Sequence, residues 1–237
     1  MTARIADQPV NPHDKFLDYW DREAESFDAI YSGAKPLVPR LLDRWFRRDM
    51  RHRFDWILEQ AGDLHGKSVC DLGCGSGRYL VACAQRGADS VVGVDAAPNM
   101  LRLAARHLEE AGLSARGQLR QFDLLRDPFE GSFDVTLAIG FFDYLRDPLP
   151  FLQRVRRLTR SRFLATFPRR WTWRMPLRRL RLWCLGLPVY FYSADQVRSL
   201  LAQAGFRCER METIGALFCV VAVPEGAEAP AAGSHTE

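Results

Sequence analysis

Several features that identify particular protein classes are missing from this chain of 237 residues. No apolar run approaches the 18 or more residues of a membrane-spanning helix. Residues 1–14 lack the apolar core of a signal peptide. None of the six cysteines forms a Cys-x-x-Cys pair, so no disulfide framework is indicated. We therefore expect a cytoplasmic globular protein with reduced thiols and no metal site.

Lysine is also nearly absent, since all but three of the 33 basic residues are arginines. The arginines cluster: residues 146–181 hold twelve of them and a single acid, whereas the whole chain carries only +4. This asymmetry indicates an anionic partner. A small substrate, a membrane surface or RNA would fit, and so would a solvated face in an arginine-rich chain. No RNA-binding motif accompanies the window, so nucleic acid is not expected.

Short apolar runs that alternate with amphipathic helical segments predict the fold. The result is an α/β, Rossmann-like sheet of seven strands, mostly parallel, with helices on both faces and a C-terminal antiparallel hairpin. Ser193 and Gln196 form a capping box at the start of the last helix. The predicted strands are Ser68–Leu72, Ser90–Val94, Gln118–Phe122, Phe133–Ile139, Arg162–Phe167, Arg207–Thr213 and Ala216–Val223.

The domain organisation follows from the same pattern. We expect residues 1–12 to be a flexible N-terminus and residues 225–237 a disordered tail. Residues 13–224 form a single domain, in which 13–62 are helical. Residues 168–192 are too long for a simple connection and predict a cap over a substrate pocket.

The strongest motif is the segment Asp71–Gly77, which follows a buried strand and opens a helix. Open α/β sheets bind ligands at this place, and Asp95 at the end of the next strand suits the hydroxyls of a ribose. The dinucleotide fingerprint is G-x-G-x-x-G, whereas this chain has G-x-G-x-G followed by Arg78. Asp71 suits a cationic ligand better than a pyrophosphate. A tight turn without a ligand is the alternative.

In the order and spacing of its motifs, the chain resembles the class I S-adenosylmethionine-dependent methyltransferases from about residue 66 to residue 223. The motifs are DLGCGSG, VVGVDAAPNM, the Phe-Asp pair at 122–123 and FDVTLAIGFFD at 133–143. The resemblance implies S-adenosylmethionine as cofactor and S-adenosylhomocysteine as product. It also implies the cofactor-binding residues, which are Asp71, Gly73, Cys74, Gly75, Gly77, Asp95, Ala96, Met100, Asp123 and Ile139.

The layout is similar to a small-molecule branch that includes ubiquinone-pathway O-methyltransferases and magnesium-protoporphyrin methyltransferases. In that branch the N-terminal segment folds over the cofactor, which implies that residues 13–62 form a lid with Tyr19 and Tyr31 beside the cofactor. A helix face that simply packs on the sheet is the alternative. Where the branch carries a histidine after the fourth strand, this chain has Asp143 and Tyr144, so no histidine is assigned a catalytic role.

Methyl transfer depends mainly on alignment and exclusion of water, and a base is needed only for a hydroxyl acceptor of high pKa. Asp143 is the candidate base or substrate ligand, and Tyr144 a candidate hydrogen-bond partner. Both also suit ordinary surface or packing roles. The basic and aromatic cap predicts substrate binding by Arg169, Arg170, Arg174 and Tyr192, or contact with an anionic membrane.

These observations predict methyl transfer from S-adenosylmethionine to oxygen of a small-molecule or lipid-like acceptor. The predicted location is the cytoplasm, with peripheral membrane contact as one possibility. A non-catalytic cofactor-binding or scaffold protein that kept the fold is the alternative function. A dinucleotide oxidoreductase is disfavoured by Arg78, which stands where the last glycine of that fingerprint belongs.

Overall fold

The computed structural model of the protein describes residues 16–25, 40–170 and 189–226. The helices are α1 (residues 16–25), α2 (Arg40–Gln60), α3 (Arg78–Gln85), α4 (Pro98–Glu110), α5 (Leu149–Leu158) and α6 (Ala194–Gln203), and a 3₁₀ turn lies at Phe142–Tyr144. The strands are β1 (Ser68–Leu72), β2 (Ser90–Asp95), β3 (Gly117–Gln121), β4 (Phe133–Ala138), β5 (Thr159–Pro168), β6 (Phe206–Ile214) and β7 (Leu217–Pro224).

The seven strands form one sheet in the order β3-β2-β1-β4-β5-β7-β6. The five strands β1 to β5 are all parallel to their neighbours among themselves. Strand β7 runs antiparallel to both of its neighbours, β5 and β6. The predicted α/β sheet with its C-terminal edge hairpin is therefore confirmed. The chain order reverses between β1 and β4, which opens a crevice at the carboxyl ends of these strands, where such sheets bind ligands.

Two apolar layers cover the sheet, because successive side chains of a strand point to opposite faces. In β1, Val69 belongs to the layer under α2 and α3, whereas Cys70 and Leu72 belong to the layer under α5 and α6. Each fully buried leucine contributes about 1.5–3 kcal/mol. The strand ends that form the crevice therefore rise from a rigid platform.

The ends of two helices show how polar groups fix this platform. The capping box of α6 is formed as predicted: Ser193 Oγ accepts from Gln196 N, and Gln196 Oε1 accepts from Ser193 N. At the carboxyl end of α2, arginine side chains donate to the carbonyls of Leu58 and Gln60, at 2.7 and 2.8 Å. These donors satisfy carbonyls that have no partner within the helix.

The predicted domain boundaries fall largely outside the described residues. Residues 1–12 and 227–237 lie outside them, so flexible ends remain a prediction. Of the predicted cap, residues 168–170 and 189–192 are described. Both ends of the cap meet beside β5, where Tyr192 N donates to the carbonyl of Pro168 and Arg170 N donates to that of Tyr192.

Candidate cofactor and acceptor site

The turn from β1 to α3 has positive φ at Gly73, Gly75 and Gly77, which favours glycine at each place. A Cβ at Gly73 would lie 2.8 Å from the ring of Phe141, and a Cβ at Gly77 would lie 2.7 Å from Ala104 Cβ. These two glycines are therefore required by packing inside the chain. The sequence motif alone suggests ligand approach at all three.

Gly75 differs from the other two glycines of the turn. A Cβ built on it would meet only Met100 Sδ, at 3.9 Å. Its φ of 51° still disfavours a side chain, but the space beside it is open. Gly75 is therefore the point of the turn at which a ligand can approach the backbone.

A buried carboxyl group, Asp71, lies at the start of this turn. The residue is 2% exposed, and its Oδ1 has no hydrogen-bond partner. Burial, followed by the charge of Asp95, raises the pKa of Asp71 from 3.8 to about 7. A buried acceptor without a partner is unfavourable. A cationic or hydrogen-bond-donating group bound in the crevice would remove that penalty, which fits the expected ligand.

Asp95 at the end of β2 holds the turn from the other side. Its Oδ2 accepts from Gly75 N and its Oδ1 accepts from Ala97 N, both at 2.9 Å. Burial raises its pKa, and hydrogen bonds from the backbone of Ala97, Gly75 and Ala96 oppose that rise. Each carboxylate oxygen can accept a further bond. Asp95 can therefore shape the turn and still receive the hydroxyls of a ribose.

Of the residues expected to contact the adenosine, Met100 and Asp123 lie in different surroundings. Met100 is buried beside Ala97. The carboxylate of Asp123 already accepts from Leu125 N and lies 3.5 Å from Arg126 Nε. Contact between Asp123 and an adenine would have to share or replace these local bonds, so it remains a prediction.

Cys74 lies inside the turn and Ile139 follows β4. Cys74 is buried, and burial raises the pKa of its thiol well above the usual range. The thiol is therefore protonated and does not suit a nucleophilic role. Ile139 is half-buried, and the next residue, Gly140, donates its N–H to Thr166 Oγ1 at 2.8 Å.

The two predicted catalytic residues lie in the 3₁₀ turn after β4. Asp143 is 4% exposed, and its carbonyl accepts from Tyr190 N. The ring centroid of Tyr144 lies 3.8 Å from that of Phe16 in α1. The turn, the end of the predicted cap and α1 therefore meet at the carboxyl end of β4. This is the place where the sequence predicts that an acceptor approaches.

The predicted substrate-binding residues lie in several environments. The Tyr192 hydroxyl is buried, 3.2 Å from the carbonyls of Phe142 and Leu145, so it supports the 3₁₀ turn. Arg169 donates to the carbonyl of Gly215, while Arg170 is exposed. Arg174 lies outside the described residues. Of the two tyrosines predicted to lie beside the cofactor, Tyr19 is half-buried in α1 and Tyr31 lies outside the described residues.

A histidine that the sequence gave no role also supports the site. His107 is half-buried in α4, and its Nδ1 lies 2.8 Å from the carbonyl of Ser76 in the glycine turn. The signal lies in the spacing, because Met100, Ala104 and His107 recur on one face of α4 and all approach the turn.

The chain is similar to known methyltransferases in sequence and in fold. A family model described as a methyltransferase domain matches residues 69–162. The crystal structure of magnesium protoporphyrin IX methyltransferase from Synechocystis with bound S-adenosylhomocysteine superposes with a TM-score of 0.75 at 19% identity. It covers 90% of this chain and 100% of that one. Residues 69–162 form a class I methyltransferase domain. The family resemblance drawn from the motifs is thereby confirmed.

Two curated relatives of this methyltransferase domain are both named ubiquinone biosynthesis O-methyltransferase. The protein from Pseudomonas paraeruginosa is 32% identical over 154 residues, which are 64% of this chain and 58% of that protein. The protein from Bordetella avium is 35% identical over 156 residues, which are 62% and 57% of the two chains. The chain therefore spans a little over half the length of these relatives.

The described residues contain neither a metal-binding cluster nor a membrane-spanning helix. In residues 16–25, 40–170 and 189–226, no group of three or more His, Cys, Asp or Glu side chains could hold a metal ion. Within the same ranges, no helix combines the length and apolar character that crossing a membrane requires.

Proposed function

We propose that the methyltransferase domain transfers a methyl group from S-adenosylmethionine to a small-molecule acceptor. The observation that carries the proposal is a pair of carboxyl groups, the buried Asp71 and the half-buried Asp95, on either side of the open backbone at Gly75. One carboxyl has an oxygen without a partner, and the other has lone pairs left for hydroxyls. A ligand with a cationic part and a ribose suits this arrangement.

When bound, S-adenosylmethionine supplies a methyl group on a positively charged sulfur. The residues that would hold the cofactor are those around the turn: Asp71 for the cationic amino-acid part, Asp95 for the ribose, and Met100 for the adenosine. The contribution of the chain is to fix position and to exclude water, because alignment provides much of the acceleration in such a displacement. The aromatic contact between Phe16 and Tyr144 suits the exclusion of water.

We further propose that the acceptor atom is an oxygen and that Asp143 serves a hydroxyl acceptor. The support is that both relatives are named as O-methyltransferases and that Asp143 is buried beside the expected acceptor position. A carboxylate at this place would accept the hydroxyl proton as the methyl group is transferred. An acceptor that is already ionised would make this step unnecessary, so the role of Asp143 depends on the pKa of the acceptor.

Binding decides between this function and its alternatives. Calorimetric titration with S-adenosylmethionine, S-adenosylhomocysteine and NAD should show binding of the first two alone. Release of S-adenosylhomocysteine in the presence of a panel of phenols and catechols should then show turnover. Binding without turnover of any acceptor would favour a scaffold that kept the fold, and binding of NAD would favour the oxidoreductase.

The acceptor is also proposed to be anionic or associated with a membrane surface. The support is the exposed Arg170 and the arginine-rich sequence of the predicted cap beside it. Replacing Arg169, Arg170 and Arg174 together by glutamine should raise the acceptor KM or reduce binding to vesicles of anionic lipid. Cofactor affinity should not change. Unaltered KM and unaltered vesicle binding would leave the arginines as a solvated surface.

A further inference from the structure

Helix α4 begins without a cap from its own sequence. Ala97 is at the N-cap position, where it provides no side-chain hydrogen bond, and a proline follows. The first N–H groups of a helix need partners from outside the helix. In most helices a serine, threonine, aspartate or asparagine at the N-cap provides one.

The missing cap comes from α1 instead. Asp21 Oδ1 accepts from Asn99 N at 2.8 Å, and Asp21 Oδ2 accepts from Asn99 Nδ2 at 2.9 Å. The carbonyl of Asp21 also lies 3.1 Å from Asn99 Nδ2. A carboxylate is favoured at this place because the amino end of a helix carries a partial positive charge. The two residues are 78 positions apart in the sequence.

Helix α1 also reaches the acceptor side of the crevice. The ring centroids of Phe16 and Tyr144 are 3.8 Å apart, and those of Trp20 and Tyr144 are 6.0 Å apart. Helix α4 follows β2, and Tyr144 follows β4. Since β1 lies between these strands in the sheet, α1 passes over the carboxyl end of β1, where the glycine turn begins. Ala24 and Trp20 pack near Met100, which completes the contact on the β2 side.

We propose that Asp21 is a positioning residue that, by capping α4, holds α1 across the crevice and so couples its ribose side to its acceptor side. Asp95 and Ala97 lie directly before α4, so loosening the first turn of α4 disturbs the bond from Ala97 N to Asp95. Loosening α1 also removes Phe16 from Tyr144. The part of this inference that concerns cofactor affinity rests on the proposed function, whereas the coupling itself does not.

Exchanging the two side chains tests the inference. Asp21→Asn places two amide groups face to face, and Asn99→Asp places two carboxylates face to face. The double variant restores one carboxylate, one amide and the original charge. Asp18→Asn is the matched control, because it removes the same charge from an exposed position of the same helix. The two single variants, the double variant and the parent form a double-mutant cycle, which measures the interaction between the two side chains.

Two measurements follow each variant. Hydrogen exchange of the ligand-free protein should show about fivefold or faster exchange in the first turn of α4, the size expected for loss of a cap. Exchange should also increase at residues 142–145. Titration with S-adenosylhomocysteine should show affinity weakened about fivefold in each single variant. The double variant should return to within about twofold of the parent in both measurements, and Asp18→Asn should not change either.

The outcomes separate the inference from the proposed function. Unchanged exchange in the single variants, or a double variant that is no better than the singles, would overturn the role of Asp21. Faster exchange in α4 without a change at residues 142–145 would overturn the coupling. If the parent protein does not bind S-adenosylhomocysteine, the proposed function fails, while the exchange data still decide whether Asp21 joins the two sides.

Discussion

Replacing Asp71 by asparagine tests whether this carboxyl is held ready for a cationic ligand. In the ligand-free protein, burial and then the charge of Asp95 raise its pKa from 3.8 to about 7. Between pH 3.8 and about pH 7, the folded protein therefore holds a proton on Asp71 that the unfolded chain has released. The free energy of unfolding therefore falls as pH rises, by about 1.4 kcal/mol per pH unit from this group. Over the whole interval the loss is about 4 kcal/mol at most.

The Asp71→Asn variant lacks this titration because the amide is neutral throughout. Its stability relative to the parent should therefore rise between about pH 4 and about pH 7 and then stay constant. Urea unfolding at several pH values, with the midpoint and slope compared, measures this difference. Asp89→Asn at an exposed position is the control and should show no such trend. A stability difference independent of pH would refute the reasoning.

The same carboxyl is predicted to link cofactor binding to proton release. A cationic ligand beside Asp71 favours its charged form, so binding near neutral pH should release part of a proton. Calorimetry with S-adenosylmethionine in buffers of different ionisation enthalpy measures this release. The Asp71→Asn variant should bind more weakly and should lose the release. Equal proton release by parent and variant would show that another group is responsible.

Three further substitutions test the site. Asp95→Ala should weaken binding of S-adenosylhomocysteine by about 1–3 kcal/mol in calorimetric titration, because it also strands Gly75 N and Ala97 N; unchanged affinity would exclude a ribose contact. Gly75→Val should abolish binding, whereas Gly112→Val, which also has positive φ and open surroundings, should only lower stability in urea unfolding; normal binding by the first would make the turn purely structural. Asp143→Asn should lower kcat about 100-fold for a hydroxyl acceptor and leave cofactor affinity intact; an unchanged kcat would leave Asp143 a support of the turn.

Most of the fold could be predicted because its signals are local. The alternation of apolar runs predicts strands within one or two residues at most ends. The exception is β5, which begins at Thr159 instead of the predicted Arg162. Thr159 follows α5 directly and pairs with Phe133 before an irregularity in the register, and no periodicity marks such a pairing. The capping box of α6 and the glycine turn need only neighbouring residues, and both are found as predicted.

The parts that could not be predicted depend on contacts between distant residues. Nothing near Asn99 in the sequence indicates that its helix is capped from α1. The spacing of Met100, Ala104 and His107 puts the three residues on one face of α4, but that this face meets the glycine turn depends on how α4 packs. The glycines show the same limit, because the sequence marks three equivalent positions and only packing separates Gly75 from the others.

The arginine-rich residues 146–181 show that a charge counted in the sequence is not always free to bind a partner. Arg154 donates to the carbonyls of Leu124 and Asp127, and Arg156 donates to that of Gly205. A guanidinium has five N–H donors, which suits it to bind carbonyls at the ends of helices and loops. Each of these two guanidinium groups is therefore already bonded to carbonyls of the chain itself. Arg169 is likewise bonded, to the carbonyl of Gly215, whereas Arg170 is exposed at the start of the predicted cap. The cap variants therefore test whether charge at this position meets an anionic partner.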